Sequence, residues 1–267
     1  MDVTLLIISM LSVGGLGFLF SAGLALASSK LTVEEDPRIA QIRDCLPGAN
    51  CGACGLPGCA KMAEDVVEGE AAIDACPACS AEALEEIAAI MGVEVPVGER
   101  KIARVMCQGG LAETAKKAEY VGISSCLATR FASGGDKLCE YGCVGLGDCV
   151  KACPFGAISM NVNGLPVVNN DMCTGCGNCV AACPRGIIEL HPEGHSLFVL
   201  CSNKDKPKVA NKVCTRACIG CKLCVRAVEE GEIFIKDNLA VIDYSRFGRE
   251  PELPTDKCPT GCLVVIE

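Results

Sequence analysis

The stretch Cys173-Thr-Gly-Cys176-Gly-Asn-Cys179-Val-Ala-Ala-Cys183-Pro184 sets three cysteines at three-residue steps and a fourth directly before a proline. Three thiolates at this spacing wrap a tight loop around one face of a [4Fe–4S] cube, and the fourth faces away toward another cluster. The proline fixes φ and has no N–H, so it turns the chain outward. Zinc also binds paired Cys-x2-Cys motifs, but the third cysteine at the same step and the Cys-x3-Cys-Pro ending favour iron–sulfur.

A looser cysteine run lies upstream, Cys139-x3-Cys143-x5-Cys149-x3-Cys153-Pro154. The segment Cys153-Pro-Phe-Gly-Ala-Ile recurs as Cys183-Pro-Arg-Gly-Ile-Ile, which indicates an internal repeat. In the bacterial ferredoxin run the fourth cysteine serves the other cluster, so we predict crossed ligation. The predicted sets are Cys139, Cys143, Cys149 and Cys183 for one cluster, and Cys153, Cys173, Cys176 and Cys179 for the other.

A third, reduced run reads Cys218-x2-Cys221-x2-Cys224, with Val228 where a fourth cysteine would stand. Residues 229–257 contain no cysteine, so the triad of one cluster is missing. The interval from Cys224 to Cys258 is 34 residues, equal to that from Cys149 to Cys183, and a proline follows in both cases. This spacing predicts one cluster in this part of the chain, with the ligands Cys218, Cys221, Cys224 and Cys258.

A Gly-rich loop near the N-terminus reads Cys51-x2-Cys54-x4-Cys59, and Cys76 follows. Glycine lets the backbone approach a cofactor closely, so Cys51, Cys54, Cys59 and Cys76 are predicted to hold another [4Fe–4S] cluster. Cys45 and Cys79 compete with Cys76 as fourth ligand, and a structural zinc site is the alternative. Two helical patterns follow the loop, and the second is predicted to begin after Ser80 and to end at Gly92.

Composition limits the classes of function. Cysteine accounts for 23 of 267 residues, an odd number at close spacing, which disfavours disulfides and favours metal ligation in a reducing compartment. A net charge of −9 and the absence of Trp argue against nucleic-acid binding. The four sets use 16 cysteines. The other seven are predicted to be small buried apolar residues: Cys45, Cys79, Cys107, Cys126, Cys201, Cys214 and Cys262.

The two histidines, His191 and His195, are predicted to lie in surface loops. A further metal site shared by Cys201, Cys214 and Cys262 would need one more ligand, such as His195, and is not favoured.

Residues Val3 to Ser29 carry no charge over 27 positions, and about 20 apolar residues span a bilayer. Ala25-Leu26-Ala27 resembles a signal-peptidase site, but the run lacks a basic start and is too long for a signal peptide. We therefore predict a membrane anchor. Lys30, Arg38 and Arg43 follow the anchor and Asp2 precedes it, which predicts that the rest of the chain is cytoplasmic.

The predicted fold class is α+β. The predicted units are an anchor (1–30), a small helical four-cysteine domain (31–95), a connecting segment with helix around Ala112–Tyr120 (96–130), a two-cluster ferredoxin-like domain (131–192) and a reduced one-cluster domain (193–267). The total predicted is four [4Fe–4S] clusters. No acid, base or nucleophile constellation stands out, so the chemistry is predicted to belong to the clusters.

Four stretches together resemble the B subunit of the Rnf and Rsx electron-transport complexes: LALASSK at 24–30, DPRIAQIRDCLPGANCGACGLPGCA at 36–60, CEYGCVGLGDCVKACPFGAI at 139–158 and CTGCGNCVAACP at 173–184. The resemblance implies a component of a ferredoxin:NAD oxidoreductase in the cytoplasmic membrane. Reduced ferredoxin would be the electron donor, and other subunits would reduce NAD and translocate sodium ions or protons. The alternatives are the iron–sulfur subunit of another membrane oxidoreductase and a zinc-binding membrane scaffold.

Overall fold

The computed structural model describes residues 3–30, 36–96, 98–247 and 254–266. It opens with helix α1 (Val3–Lys30), which matches the predicted apolar helix. Within it, Met10–Ser28 has a mean hydropathy of 1.8 and is long and apolar enough to cross a membrane, with none of the span buried in the protein. Phe18 is 75% exposed, which is costly in water and favourable in lipid. Asp2 and residues 31–35, which open the predicted 31–95 unit, lie outside the described residues.

Three helices follow the anchor and surround a small apolar core that includes Ile42, Met62 and Ile87. They are α2 (Pro37–Cys45), α3 (Cys59–Glu68) and α4 (Ala81–Met91). Ser80 caps α4 by accepting a hydrogen bond from the Ala83 N–H, and Gly92 ends it in the left-handed conformation. The predicted ends of this helix are therefore confirmed.

The next unit has four strands and three short helices. Its elements are β1 (Lys101–Val105), α5 (Cys126–Thr129), α6 (Asp148–Lys151), β2 (Ile158–Met160), β3 (Pro166–Val168), α7 (Asn178–Ala182) and β4 (Ile188–Pro192). β1 pairs antiparallel with β4, and β2 and β3 form a hairpin. Their buried faces contribute Ile102, Ile158 and Ile188 to one core.

The predicted connecting segment, 96–130, is wrong as a linker, because β1 lies in it and pairs with β4 along its whole length. The predicted helix around Ala112–Tyr120 is also wrong. The backbone there bonds to distant segments instead, with Ala115 N–H donating to Val213 O at 2.9 Å and Ala115 O accepting from Leu138 N–H at 2.7 Å. Long-range pairing satisfies the peptide groups that a helix would have satisfied locally.

The C-terminal strands repeat the order of the preceding unit. The elements are β5 (Leu197–Val199), α8 (Pro207–Val213), β6 (Ile233–Lys236), β7 (Leu239–Ile242) and β8 (Leu263–Val265). β5 pairs antiparallel with β8, and β6 and β7 form a hairpin. Each unit therefore runs from an outer strand through a cysteine-bearing loop, a hairpin and a second cysteine-bearing loop to the other outer strand.

His191 does not lie in a surface loop as predicted, whereas His195 lies in the connection between β4 and β5 and is half-buried. His191 is in β4 and is 9% exposed, with its ring edge-on to Phe198 and Tyr244. The His195 ring stacks on Tyr244 with 4.1 Å between centroids. This aromatic group joins the unit that ends with β4 to the C-terminal unit, so the histidines have a packing role between the two.

Candidate iron–sulfur sites

All 23 cysteines lie in the described residues, and none forms a disulfide. Sixteen of them are grouped in four sets that we name sites A to D. Site A is Cys51, Cys54, Cys59 and Cys76; site B is Cys126, Cys143, Cys149 and Cys183; site C is Cys153, Cys173, Cys176 and Cys179; site D is Cys218, Cys221, Cys224 and Cys258. Sites A, C and D have the predicted members, and site B does not.

Site A is built on the Gly-rich loop and the start of α3. Asn50, in a left-handed conformation, accepts a hydrogen bond from the Cys59 N–H at 2.9 Å and donates to Gly48 O at 3.1 Å, which ties the loop to the helix. Burial raises the pKa of the Cys76 thiol, and the nearby sulfurs of Cys54, Cys51 and Cys59 add to the effect. Cys76 also packs in the same core as Cys54 and Cys59.

Of the two competitors for the fourth place in site A, Cys45 is held by another residue. The Cys45 thiol donates to Glu86 Oε2 at 3.3 Å. Burial raises the pKa of Cys79 to about 11, and its neighbouring cysteines are Cys76 and Cys45. This arrangement supports Cys76 as the fourth ligand.

Site C is formed by the loop before α7, with Cys153 arriving from the end of α6. The Ala103 N–H of β1 donates to Cys173 Sγ at 3.5 Å. A Cβ on Gly175 would collide with the carbonyl oxygen of Lys101, so the loop lies directly on β1. Burial raises the pKa of Cys179 to about 12.

Site B differs from the prediction in one ligand. Cys143, Cys149 and Cys183 line one cavity together with Cys126, and Cys139 lines a different cavity. The grouping of Cys139 with these three residues is therefore not what the structure shows.

The reason is the docking of α5 on α6. Asp148 Oδ2 accepts hydrogen bonds from Ser125 Oγ at 2.8 Å and from the Leu127 N–H at 3.0 Å, which holds the start of α5 beside Cys149. Cys126 is the first residue of α5, so its side chain is carried into the cavity. In sequence Cys126 is too far from Cys143 to give a recognisable motif, and only the capping residue Ser125 marks a helix start there.

We expect Cys126→Ala to remove the cluster of site B, which means about four fewer iron atoms per chain and an equal loss of sulfide. Cys45→Ala is the matched control, because its thiol bonds to Glu86 and lies outside the site B cavity. Iron and acid-labile sulfide analysis of the anaerobically purified chain measures both variants. Equal iron content in the two would contradict the assignment of Cys126.

Site D packs like site C, but its three neighbouring cysteines come from the loop before the hairpin and its fourth from the loop after the hairpin. In site C the two loops contribute the other way round. The Ala240 N–H of β7 donates to Cys218 Sγ at 3.5 Å, and a Cβ on Gly220 would lie 2.9 Å from the carbonyl oxygen of Asn238. Cys258 comes from the loop after the hairpin, as the matching 34-residue interval predicts. Val228 packs against the core at the place of the missing cysteine.

Cys262 adds an unpredicted sulfur to site D. It is 2% exposed, and its Sγ lies 3.5 Å from Cys258 Sγ. Hydrogen bonding with Cys262 lowers the pKa of Cys258 and of Cys218. Cys262 stands four residues after Cys258, which precedes a proline. The residues at the same distance from the other two Cys-Pro pairs are Ile187 and Ala157, and both are buried in a core. Cys262 therefore occupies a core position in its own unit.

We expect Cys262→Ala to leave the iron content unchanged and to lower the reduction potential of the site D cluster. Hydrogen bonds to cluster sulfurs stabilise the more negative, reduced state, so losing a donor makes reduction harder. EPR-monitored redox titration measures the potential, with Cys79→Ala as a control distant from site D. An unchanged site D potential, or a loss of iron, would show that Cys262 has another role.

The described sets of cysteine sulfurs are spaced more widely than in a tetrahedral zinc site. Zinc–sulfur bonds of about 2.3 Å in a tetrahedron hold the sulfurs about 3.8 Å apart. Among the described residues no three cysteine sulfurs all lie within 4.8 Å of one another. The cysteine sets therefore do not have the sulfur spacing of a tetrahedral zinc site.

Comparison with known proteins agrees with this chemistry. The Fe-S cluster family model (FeS) matches residues 46–78, which hold site A, and the 4Fe-4S dicluster domain matches residues 141–188, which hold most of sites B and C. Cavities lined by four cysteines lie between the outer strands and the hairpin of the matched region. Together with the dicluster match, they define the chain as an iron–sulfur protein of the electron-transfer class.

Three relatives match nearly the whole chain, and each is the B subunit of its complex. The chain is 45% identical to that of the Na⁺-translocating ferredoxin:NAD⁺ oxidoreductase complex of Acetobacterium woodii, over 94% of this chain and 75% of the relative. It is 42% identical to that of the ion-translocating oxidoreductase complex of Methanosarcina acetivorans, over 91% and 92%. It is 37% identical to that of the proton-translocating ferredoxin:NAD⁺ oxidoreductase complex of Clostridium ljungdahlii, over 100% and 94%. The chain belongs to this family, the B subunits of the Rnf-type ion-translocating oxidoreductase complexes.

Proposed function

We propose that this chain accepts electrons from reduced ferredoxin and passes them through clusters held at sites A to D to other subunits of an Rnf-type complex, which reduce NAD and translocate sodium ions or protons. The observation that carries the proposal is the contact of successive cysteine-bearing loops along the chain. The names of the relatives support the donor and the acceptor. Those names specify sodium for one relative and protons for another. The features that these proteins share therefore do not determine the coupling ion.

Sites A and C are in contact through two side chains. Phe155, two residues after Cys153, packs into the core of the N-terminal unit. Asn178, next to Cys179, donates from Nδ2 to the Cys51 carbonyl oxygen at 3.3 Å. An electron leaving one site therefore meets the other across a packed protein contact.

Sites C and B are joined by the chain itself. Cys149 of site B and Cys153 of site C stand at the two ends of α6. Cys179 of site C and Cys183 of site B likewise stand at the two ends of α7. The two short helices are therefore shared walls between the cavities. This crossed arrangement fixes the distance between the two sites.

The clusters supply one-electron redox chemistry when bound. The residues of the chain hold the thiolates in place, donate backbone N–H groups to sulfur, and exclude water. Ala103 and Ala240 are the donors to Cys173 and Cys218, and both strands that carry them are fixed by pairing. These contacts tune the potentials, since hydrogen bonds to sulfur and burial set the reduction potential of a cluster.

Helix α1 and the basic residues after it indicate on which side of the membrane the sites lie. Helix α1 would lie in the cytoplasmic membrane, and Lys30, Arg38 and Arg43 after it favour the cytoplasmic side for all the sites. Gly17, Ser21 and Ala25 form one small-residue face along α1, suited to close approach of a helix from another subunit.

Anaerobic mixing of the iron-loaded chain with reduced ferredoxin tests the proposal. Ferredoxin should be reoxidised while EPR signals of reduced clusters appear in the chain. If the chain accepts electrons from dithionite but not from ferredoxin, it is an iron–sulfur protein with another donor. Zinc without acid-labile sulfide in the native protein would instead indicate a zinc scaffold.

A further inference from the structure

We propose that Cys107, Cys139, Cys201 and Cys214 form a fifth four-cysteine site, here called site E, that holds an additional [4Fe–4S] cluster between sites B and D. Three of these residues were predicted to be isolated buried cysteines, and Cys139 was predicted to belong to site B. The proposal extends the proposed electron path, but its evidence is the geometry of the site.

The four cysteines line one cavity although they come from four separate segments. Cys107 follows β1, Cys139 precedes α6, Cys201 follows β5 and Cys214 follows α8. Each of sites B, C and D likewise has four cysteines lining one cavity. Site E therefore matches the other three in its donor set.

Two glycines stand directly beneath the sulfurs of site E. A Cβ on Gly109 would lie 3.2 Å from Cys214 Sγ and 3.7 Å from Cys107 Sγ. A Cβ on Gly142 would lie 3.4 Å from Cys139 Sγ and 3.5 Å from Cys107 Sγ. Three of the four sulfurs thus converge around bare backbone, which leaves room for a cofactor rather than for packed side chains.

The sulfurs receive hydrogen bonds of the kind that stabilise thiolates. Cys107 Sγ accepts from the Gly109 N–H and the Cys143 N–H, each at 3.4 Å. Cys201 Sγ accepts from the Cys218 N–H at 3.2 Å and the Asn203 N–H at 3.4 Å. Asn203, which is 2% exposed, also donates from Nδ2 to Cys139 Sγ at 3.5 Å. Such donors suit charged cluster ligands better than inert buried thiols.

Two buried polar groups at site E call for a negatively charged occupant. Lys137 is 5% exposed and donates to Gly109 O at 2.8 Å, and it takes part in none of the salt bridges found among the described residues. A buried ammonium group is costly unless a charge compensates it, and four iron-bound thiolates would. Thr114 is 6% exposed, lines the cavity, and has a hydroxyl with no hydrogen-bond partner among the described residues. That hydroxyl is free to donate to a cluster.

Site E contacts both neighbouring sites through its hydrogen bonds. Its Cys107 accepts from the backbone of Cys143, a site B residue. Its Cys201 accepts from the backbone of Cys218, a site D residue. A cluster at site E would therefore bridge sites B and D and make the path continuous in the order A, C, B, E and D.

Metal analysis of the full chain tests site E without using ferredoxin, so its result is separate from that for the proposed function. The fully loaded chain should contain about 20 iron atoms instead of about 16. Cys214→Ala and Cys107→Ala should each lower iron and sulfide by about four atoms per chain, whereas Cys45→Ala should lower neither. EPR signals of sites B and C that persist in Cys214→Ala would show that the fold is intact.

Unchanged iron and sulfide in both Cys107→Ala and Cys214→Ala would overturn the proposal. So would finding one zinc ion per unaltered chain that is missing from these two variants. For variants that fail to fold, crystals of the unaltered chain give the decisive measurement. Anomalous scattering at the iron edge should show a peak between Cys107, Cys139, Cys201 and Cys214. Its absence in crystals with iron at sites B and D would overturn the proposal equally.

Discussion

Replacing Cys176 with alanine should remove the cluster of site C and reduce electron transfer from ferredoxin to NAD by the assembled complex to background. Cys176 is the middle cysteine of the loop before α7 and lines the site C cavity. Site C contacts the N-terminal unit through Phe155 and Asn178, and it shares α6 and α7 with site B. Losing its cluster therefore opens a gap in the proposed path between site A and the remaining sites.

The measurements are iron content and ferredoxin-dependent NAD reduction by the complex. Iron should fall by about four atoms per chain. Met172→Ala is the matched control, because Met172 is 47% exposed, lies next to the same loop and does not line the site C cavity. Full activity of Cys176→Ala with iron lost would mean that electrons bypass site C, and full iron content would refute Cys176 as a ligand.

Deleting residues 1–30 should move the chain from the membrane fraction to the soluble fraction while the clusters remain. Helix α1 exposes large apolar side chains such as Leu11, Phe18 and Leu24 on all sides, and about 20 such residues are enough to hold a helix in a bilayer. The cysteine sets and their cores lie entirely after this helix. The anchor is therefore expected to be separable from the redox part.

Ultracentrifugation and iron analysis after expression without other components of the complex check this result. Gly17→Leu is the matched variant, since it keeps the helix apolar but fills its small face. It should remain in the membrane fraction and assemble less well with partner subunits. A truncated chain that still sediments with membranes would show that another surface binds lipid.

Local spacing was enough to predict the parts of the protein in which the ligands are neighbours in sequence. The runs ending at Cys59, Cys179 and Cys224 each place three cysteines within one loop, so the loop geometry follows from the spacing alone. The equal 34-residue intervals also placed Cys183 and Cys258 at the ends of corresponding loops. The α4 caps were predictable for the same reason, because a cap is a contact over three residues.

The sequence by itself therefore determined that this is an iron–sulfur protein with an N-terminal apolar helix and loops of closely spaced cysteines. Only the tertiary structure decided which distant cysteines join those loops. Cys126 reaches site B because α5 docks on α6, and Cys139 meets Cys107, Cys201 and Cys214 because backbone pairing brings four segments together. Contacts between segments far apart along the chain leave no periodic signal in sequence, since each is made by the packing of whole elements.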